Sequence, residues 1–184
     1  KKQRTYLSDM GLITLILSLF FGAFLGAIPL HTPDEARYSL VSFQLFQNHQ
    51  LLIPQINGVG FLDKPPLFYY AQILMLKLFG NSEVSLRLPS VIASILSCLM
   101  LYITARKLFN RTTALSSVLI LANFPLYFAM SHYANLDMMV ASLINSALCF
   151  FILAQENKTH NKRFLMWGCY LSMALAMLTK GLIA

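Results

Sequence analysis

Apolar residues fill this chain in blocks of about twenty, cut by short polar interruptions. A helix rises 1.5 Å per residue and a bilayer's hydrocarbon core is about 30 Å thick, so about 20 apolar residues cross it. Five stretches meet that length, roughly 11–30, 86–105, 113–131, 138–154 and 164–183, the fourth being short. The first follows KKQR and carries small residues in GAFLGA, as a secretory signal does. Its apolar part exceeds the 7–15 residues or so of a signal's core, which favours a retained helix.

The interval 31–85 is long but not hydrophilic. In ARYSLVSFQLFQ, residues 36–47, Tyr38, Val41, Leu45 and Phe46 recur at helical spacing, a pattern suited to a helix lying in the membrane interface. Pro54, Asn57, Gly58 and Gly60 then signal a turn. A second apolar helix starts near Pro66, with proline in the first turn where its missing N–H costs little, and ends near Gly80-Asn81. The fold expected is therefore all-α: a polytopic transmembrane helix bundle with two interfacial helices in the first extracytoplasmic loop.

Composition agrees. Hydrophobic residues make up 57% and charged residues 11%, against about 25% charged in soluble domains. The mean hydropathy is +0.62. The net charge of +7 does not indicate nucleic acid, because the basic residues punctuate apolar runs instead of covering one polar face. Cys98, Cys149 and Cys169 fall inside apolar segments and read as small core residues, not as a disulfide or metal set. The chain begins at Lys1 and stops at Ala184 within an apolar run, as the N-terminal part of a longer transmembrane domain would.

Charge also sets an orientation. With the N-terminus in the cytoplasm, nine basic residues lie inside: Lys1, Lys2, Arg4, Arg106, Lys107, Arg111, Lys158, Lys162 and Arg163. Five lie outside: Arg37, Lys64, Lys77, Arg87 and Lys180. Short loops carry this bias, which is where the positive-inside rule counts most. The acids run the other way. Only Asp9 and Glu156 lie inside, whereas Asp34, Glu35, Asp63, Glu83 and Asp137 lie outside. Solubility gives no reason for that asymmetry; a charged site at the outer membrane boundary does. The sequons at Asn110 and Asn157 fall in cytoplasmic loops and read as chance matches.

Four groups of residues carry candidate chemistry. In HTPDEARY, residues 31–38, Asp34 and Glu35 follow Pro33, which is expected to end the first helix; Asp34 either starts the next helix or acts as a base or cation ligand. Asp63 and Lys64 precede Pro65-Pro66, as a surface ion pair or as a pinned lysine that binds phosphate beside a carboxylate that orients it or ligates a metal. In SHYANLDMM, residues 131–139, Asp137 opens an apolar helix, where the helix dipole favours a carboxylate in any case. Lys180 either snorkels to the interface or helps to hold an anion. Each signal is weak alone, but the orientation places all four on one face. Acids and cations gathered beside lipid suit an anionic, lipid-linked substrate, and they admit a divalent cation.

The order DEARY, NG, FLDKPPLFYY, RLPS, YANLD, TKG resembles the N-terminal part of polyprenyl-phosphate-dependent membrane glycosyltransferases of the C-type fold. The nearest branch is the superfamily of aminoarabinose–lipid A transferases and protein mannosyltransferases, and the resemblance runs from His31 onward. It implies transfer of a sugar from a polyprenyl-phosphate donor to a glycolipid or protein acceptor on the outer face of a bacterial inner membrane. It implies that Asp34 is the catalytic carboxylate, that Asp137 is a second one and that Lys64, with Lys180, binds the donor phosphate. Glu35, Arg37 and Tyr133 are supporting residues. Asp63 stands where the aminoarabinose branch has a metal-binding glutamate, whose companion ligands would lie beyond Ala184. Two other classes compete, a transporter or flippase and a non-catalytic membrane scaffold. A transporter would place its charges near the bilayer midplane, not at one surface.

Overall fold

A computed structural model describes residues 2–48, 53–56, 58–156 and 162–183 of the chain. Lys1, Asn57, Asn157 and Lys158, used above for orientation, as a turn signal or as a sequon, lie outside them.

The first helix, α1, runs Lys2–Gly22. It does not reach residue 30, as its apolar character suggests; residues 23–30 form turns and bends instead. Phe24 takes a left-handed backbone conformation at φ 59°, which a continuing helix cannot contain. Pro33 is therefore not what ends α1. It is the residue before the second helix, α2, which runs Asp34–Gln47.

The outer segment holds two helices, as the periodicity indicates: α2 and α3, Leu67–Phe79. Between them β1, Gln55–Ile56, pairs antiparallel with β2, Val59–Gly60, around the turn foreseen at Gly58. Gly80 caps α3 at φ 80°, a conformation that favours glycine.

The longest helix, α4, spans Glu83–Leu108; the Ser82 side chain accepts from the Ser85 N–H at its start. Asn110 opens α5, Arg111–Ala122, by accepting from the Thr113 N–H at 2.8 Å. The first sequon is thus a helix cap.

The stretch 113–131, expected as one helix, is two. After α5 comes α6, Pro125–Ser131, bent by 69° from it. Pro125 supplies no N–H, and it forces Phe124 into an extended backbone (ψ 122°). The helix must stop there. Two long helices complete the fold, α7 (Leu136–Glu156) and α8 (Lys162–Lys180), followed by one 3-10 turn at Gly181–Ile183. They pack along each other more extensively than any other pair, and α4 packs on α7.

Among the described residues, α4 and α7 are long and apolar enough to cross a membrane alone, and the bent α5–α6 pair makes a third candidate span. The surface supports a lipid environment. Leu7, Leu12, Leu15, Ile16 and Leu19 of α1 and Phe164, Trp167, Tyr170 and Leu171 of α8 are all exposed. A helix apolar on its outward face belongs in lipid or a protein interior.

Two cores organise the molecule. Ile13, Leu17 and Phe21, one turn apart on α1, pack with Val91, Cys98 and Tyr102 of α4 and Ala114 and Val118 of α5. A second core joins Tyr38, Val41 and Leu45 of α2 to Phe68, Tyr69 and Ile73 of α3 and Leu136 of α7. Gln72 of α3 adds polar ties to α2 and to α4. It accepts from Ser42 Oγ at 2.5 Å and donates to the Leu86 carbonyl at 2.8 Å. The starts of α2, α3 and α7 are thereby held together at one end.

Candidate active site

That end carries the charges. Glu35, within the first turn of α2, is fully buried. Its Oε1 accepts from Arg87 Nε at 2.7 Å and from the Ala134 N–H at 2.8 Å. Its Oε2 accepts from Arg87 Nη2 at 3.0 Å and from the His31 N–H at 2.7 Å. Burial opposes its ionisation, but Arg87 and the two backbone N–H groups outweigh burial and hold its carboxyl below the usual carboxylate range. Arg87 in turn donates to the carbonyls of Leu25 (2.6 Å), Ile28 (2.8 Å) and Pro29 (3.1 Å). These carbonyls belong to the irregular segment that follows α1. One buried ion pair therefore joins that segment, α2, α4 and the α6–α7 connection.

The pair fixes the approach of both catalytic candidates. Asp34 precedes Glu35 and bonds Arg37 one helical turn later, both side chains being about half exposed. Asp137 lies three residues after Ala134. Asn135 caps α7 there: its Oδ1 accepts from the Asp137 N–H at 2.9 Å, and its Nδ2 donates to Asp137 Oδ2 at 3.1 Å. The other oxygen of Asp137 receives Lys180 from the end of α8. Both charges are partly exposed, so the pair is open to a ligand.

The FLDKPP segment abuts the same end. A Cβ placed on Gly181, next to Lys180, would lie 3.9 Å from Pro65 Cγ. Lys64 Nζ stands 3.3 Å from Asp63 Oδ2. Arg37 lies over the Tyr38 ring with Cζ 5.3 Å from its centroid, and the Tyr38 and Tyr69 rings are 6.4 Å apart. Asp63 and Arg37 both act on Tyr69 electrostatically, so the charges of α2 and of the segment before α3 share one neighbourhood.

Tyr133 meets His31 edge-on at 6.4 Å. Both line a cavity of about 420 Å³, with Glu35 and Arg87, between the end of α1 and α6. His132 lines the same cavity; its Nδ1 lies 2.9 Å from the Phe128 carbonyl and its ring packs on Phe128 at 4.4 Å.

The charged residues singled out in the sequence thus lie on elements that the structure ties together, but in four separate ion pairs, Glu35–Arg87 among them, and not as one cluster. Sequence reading assigned Arg87 only to the outer side. Its signal was an arginine next to an apolar run, a position that is costly unless a partner is buried with it. Among the described residues no three of His, Cys, Asp and Glu gather to hold a metal. Asp63 would be one ligand and its neighbour is a lysine, so these residues do not by themselves form a metal site.

A helical membrane protein with an ion-paired carboxylate and lysine site at one end is the class that fold and geometry define. The chain belongs to the dolichyl-phosphate-mannose-protein mannosyltransferase family, whose sequence profile matches residues 63–184. It is similar to the undecaprenyl phosphate-alpha-4-amino-4-deoxy-L-arabinose arabinosyl transferase of Pectobacterium carotovorum subsp. carotovorum, at 32% identity over 93% of this chain and 32% of that protein. The protein of the same name from Pseudomonas aeruginosa is 31% identical over 94% of this chain and 32% of its own length. The chain therefore spans about a third of the length of these relatives.

The structure superposes on ArnT from Cupriavidus metallidurans in the apo state with a TM-score of 0.88 and 25% identity, covering 100% of this chain and 34% of that one. With the same protein bound to undecaprenyl phosphate the TM-score is 0.89 at 26% identity, covering 96% and 33%.

Proposed function

We propose that the protein carrying this chain is a glycosyltransferase that moves a sugar from a polyprenyl-phosphate carrier to an acceptor outside the cytoplasm. The observation that carries this reading is the tying of the Asp34, Asp63–Lys64 and Asp137–Lys180 pairs to one end of a helical membrane protein. The relatives' name supports an undecaprenyl-phosphate-linked donor, with aminoarabinose the first sugar to test. The proposed placement is a bacterial inner membrane, crossed about five times by this chain, with the N-terminus in the cytoplasm and the site outside. The acceptor is a glycolipid of the lipid A type or a protein.

In such a transfer the bond between the sugar carbon and the phosphate oxygen breaks, and its electron pair leaves with the phosphate. The acceptor oxygen forms the new bond to that carbon. Lys64 and Lys180 stabilise the departing charge. A hydroxyl acceptor gives its proton to Asp34; a phosphate acceptor has none to give, and Asp34 then positions it. Asp137 orients the acceptor or the sugar. Asp63 is proposed as one carboxylate of a metal site completed by residues elsewhere in the protein, and no step here depends on it.

The test is turnover of undecaprenyl-phosphate-linked aminoarabinose by the intact protein in lipid nanodiscs, with mass spectrometry of envelope lipids and glycoproteins from a deletion strain. A strain with unchanged glycolipids and glycoproteins would overturn the reading.

A further inference from the structure

Of the five acids that the charge pattern puts on the outer side, four have a cation: Asp34 with Arg37, Glu35 with Arg87, Asp63 with Lys64 and Asp137 with Lys180. Glu83, in the first turn of α4, has no such partner among the described residues. Arg87 stands one turn further on and feels its charge. Its five N–H groups, however, are spent on Glu35 and on the carbonyls of Leu25, Ile28 and Pro29. The helix dipole explains a carboxylate at this position. It does not explain what lies opposite.

Glu83 lines a cavity of about 390 Å³ between α2 and the start of α4. The α2 wall is Ala36, Ser39, Leu40 and Phe43, spaced i, i+3, i+4, i+7, so one stripe of the helix faces the cavity. Ser39 sits in the middle of that stripe. It is 1% exposed, and its hydroxyl has no hydrogen-bond partner among the described residues. Other buried serines in these helices behave differently. Ser42, Ser94 and Ser172, for example, each donate to the carbonyl four residues back. An unpaired buried hydroxyl is costly, and alanine would fill the place without that cost. The hydroxyl therefore calls for a partner that the fold does not supply.

The lining names the partner's chemistry. No lysine or arginine lines this cavity, so an anion has no counter-charge there, whereas Glu83 offers one to a cation. Glu83, Ser39 and the Asn81 amide supply acceptor oxygens from three side chains, and a primary ammonium has three N–H groups to give. Leu30, Leu40, Phe43 and Leu86 provide an apolar wall for the carbon stem that carries it. We propose that this cavity binds the head of an aminophospholipid, its ammonium held by Glu83, Ser39 and Asn81 at the membrane–water boundary. The site is separate from Asp34 and Lys64, and it does not rest on sugar transfer.

The test is native mass spectrometry of the intact protein, released from nanodiscs that hold equal parts of phosphatidylethanolamine, phosphatidylcholine and phosphatidylglycerol. Wild type should retain phosphatidylethanolamine about tenfold over each of the others. Glu83→Gln, of the same size, should abolish that preference. Ser39→Ala should weaken it several-fold while Tm in lipid-free detergent holds or rises, because the hydroxyl makes no bond in the free protein. Equal retention of the three lipids would overturn the proposal. So would a preference that survives in both variants, which would put the lipid elsewhere. Retention of phosphatidylcholine on a par with phosphatidylethanolamine would show that the N–H groups are not used, and would overturn it too. None of these outcomes bears on the transferase reading.

Discussion

Arg87 grips Glu35 through two hydrogen bonds, at 2.7 and 3.0 Å, across 52 residues of sequence, with both side chains under a tenth exposed. Every remaining polar contact of the pair goes to backbone: two N–H groups on the glutamate and three carbonyls on the arginine. The pair is a joint between segments that carry Asp34 and Asp137.

Arg87→Met should therefore destabilise the protein by about 3–5 kcal/mol, because it strands a buried carboxylate. Replacing both members, Glu35→Leu with Arg87→Met, should cost less than the sum of the single changes. Thermal unfolding of the four proteins in one detergent tests the cycle. An additive result would mean that the two residues act independently.

The same joint sets an acid limit. The folded carboxyl of Glu35 lies below its ordinary value of 4.5, so folding favours the charged form. The stability it contributes is present above that value and is lost as pH falls through and below it. Unfolding midpoints of wild type should decline below about pH 4.5. The decline should be smaller in Glu35→Leu/Arg87→Met.

Asp34→Asn should abolish sugar transfer and leave membrane insertion and Tm nearly unchanged. The Asp34–Arg37 pair is half exposed, and such pairs contribute about 0–1 kcal/mol. Retained turnover with a lipid-linked sugar would remove Asp34 from the chemistry.

Lys64→Ala should raise the KM for the lipid donor more than it lowers kcat, since its proposed role is to bind phosphate. Initial-rate kinetics over a range of donor concentrations separates the two. An unchanged KM would assign Lys64 to something else.

Asp137 and Lys180 join the starts and ends of neighbouring helices, 43 residues apart. Exchanging them, Asp137→Lys with Lys180→Asp, should recover part of the stability lost in either single reversal but none of the activity, because the carboxylate then sits on the wrong helix. Activity in the exchanged protein would show that only the pairing matters.

The helices were legible wherever apolar length or period decided them. The two outer helices, α2 and α3, and the turn between them follow from residues 36–47, Gly58 and Pro66. Their ends were less legible where backbone conformation overrode apolar character. Residues 23–30 are as greasy as α1, yet Phe24 departs from the helix; residues 113–131 are continuous in composition, yet Pro125 divides them.

The candidate site was legible only as a set of charges that the expected orientation groups on one face. Its pairings were not. Sequence reading put Lys180 near the outer end of its helix, but only the packing of α8 along α7 delivers it to Asp137. Asp9 shows the same limit at the opposite end. It was counted merely as an inside charge, but it accepts from Tyr102 at 2.7 Å and from Arg111 at 2.6 and 2.8 Å.

Glu35 receives the Ala134 N–H across 99 residues. During synthesis its carboxylate emerges long before that donor exists. A ribosome-bound chain halted ahead of Ala134 would hold Asp34 on a half-built platform, and the pocket would come into being only once the α6–α7 connection had been delivered.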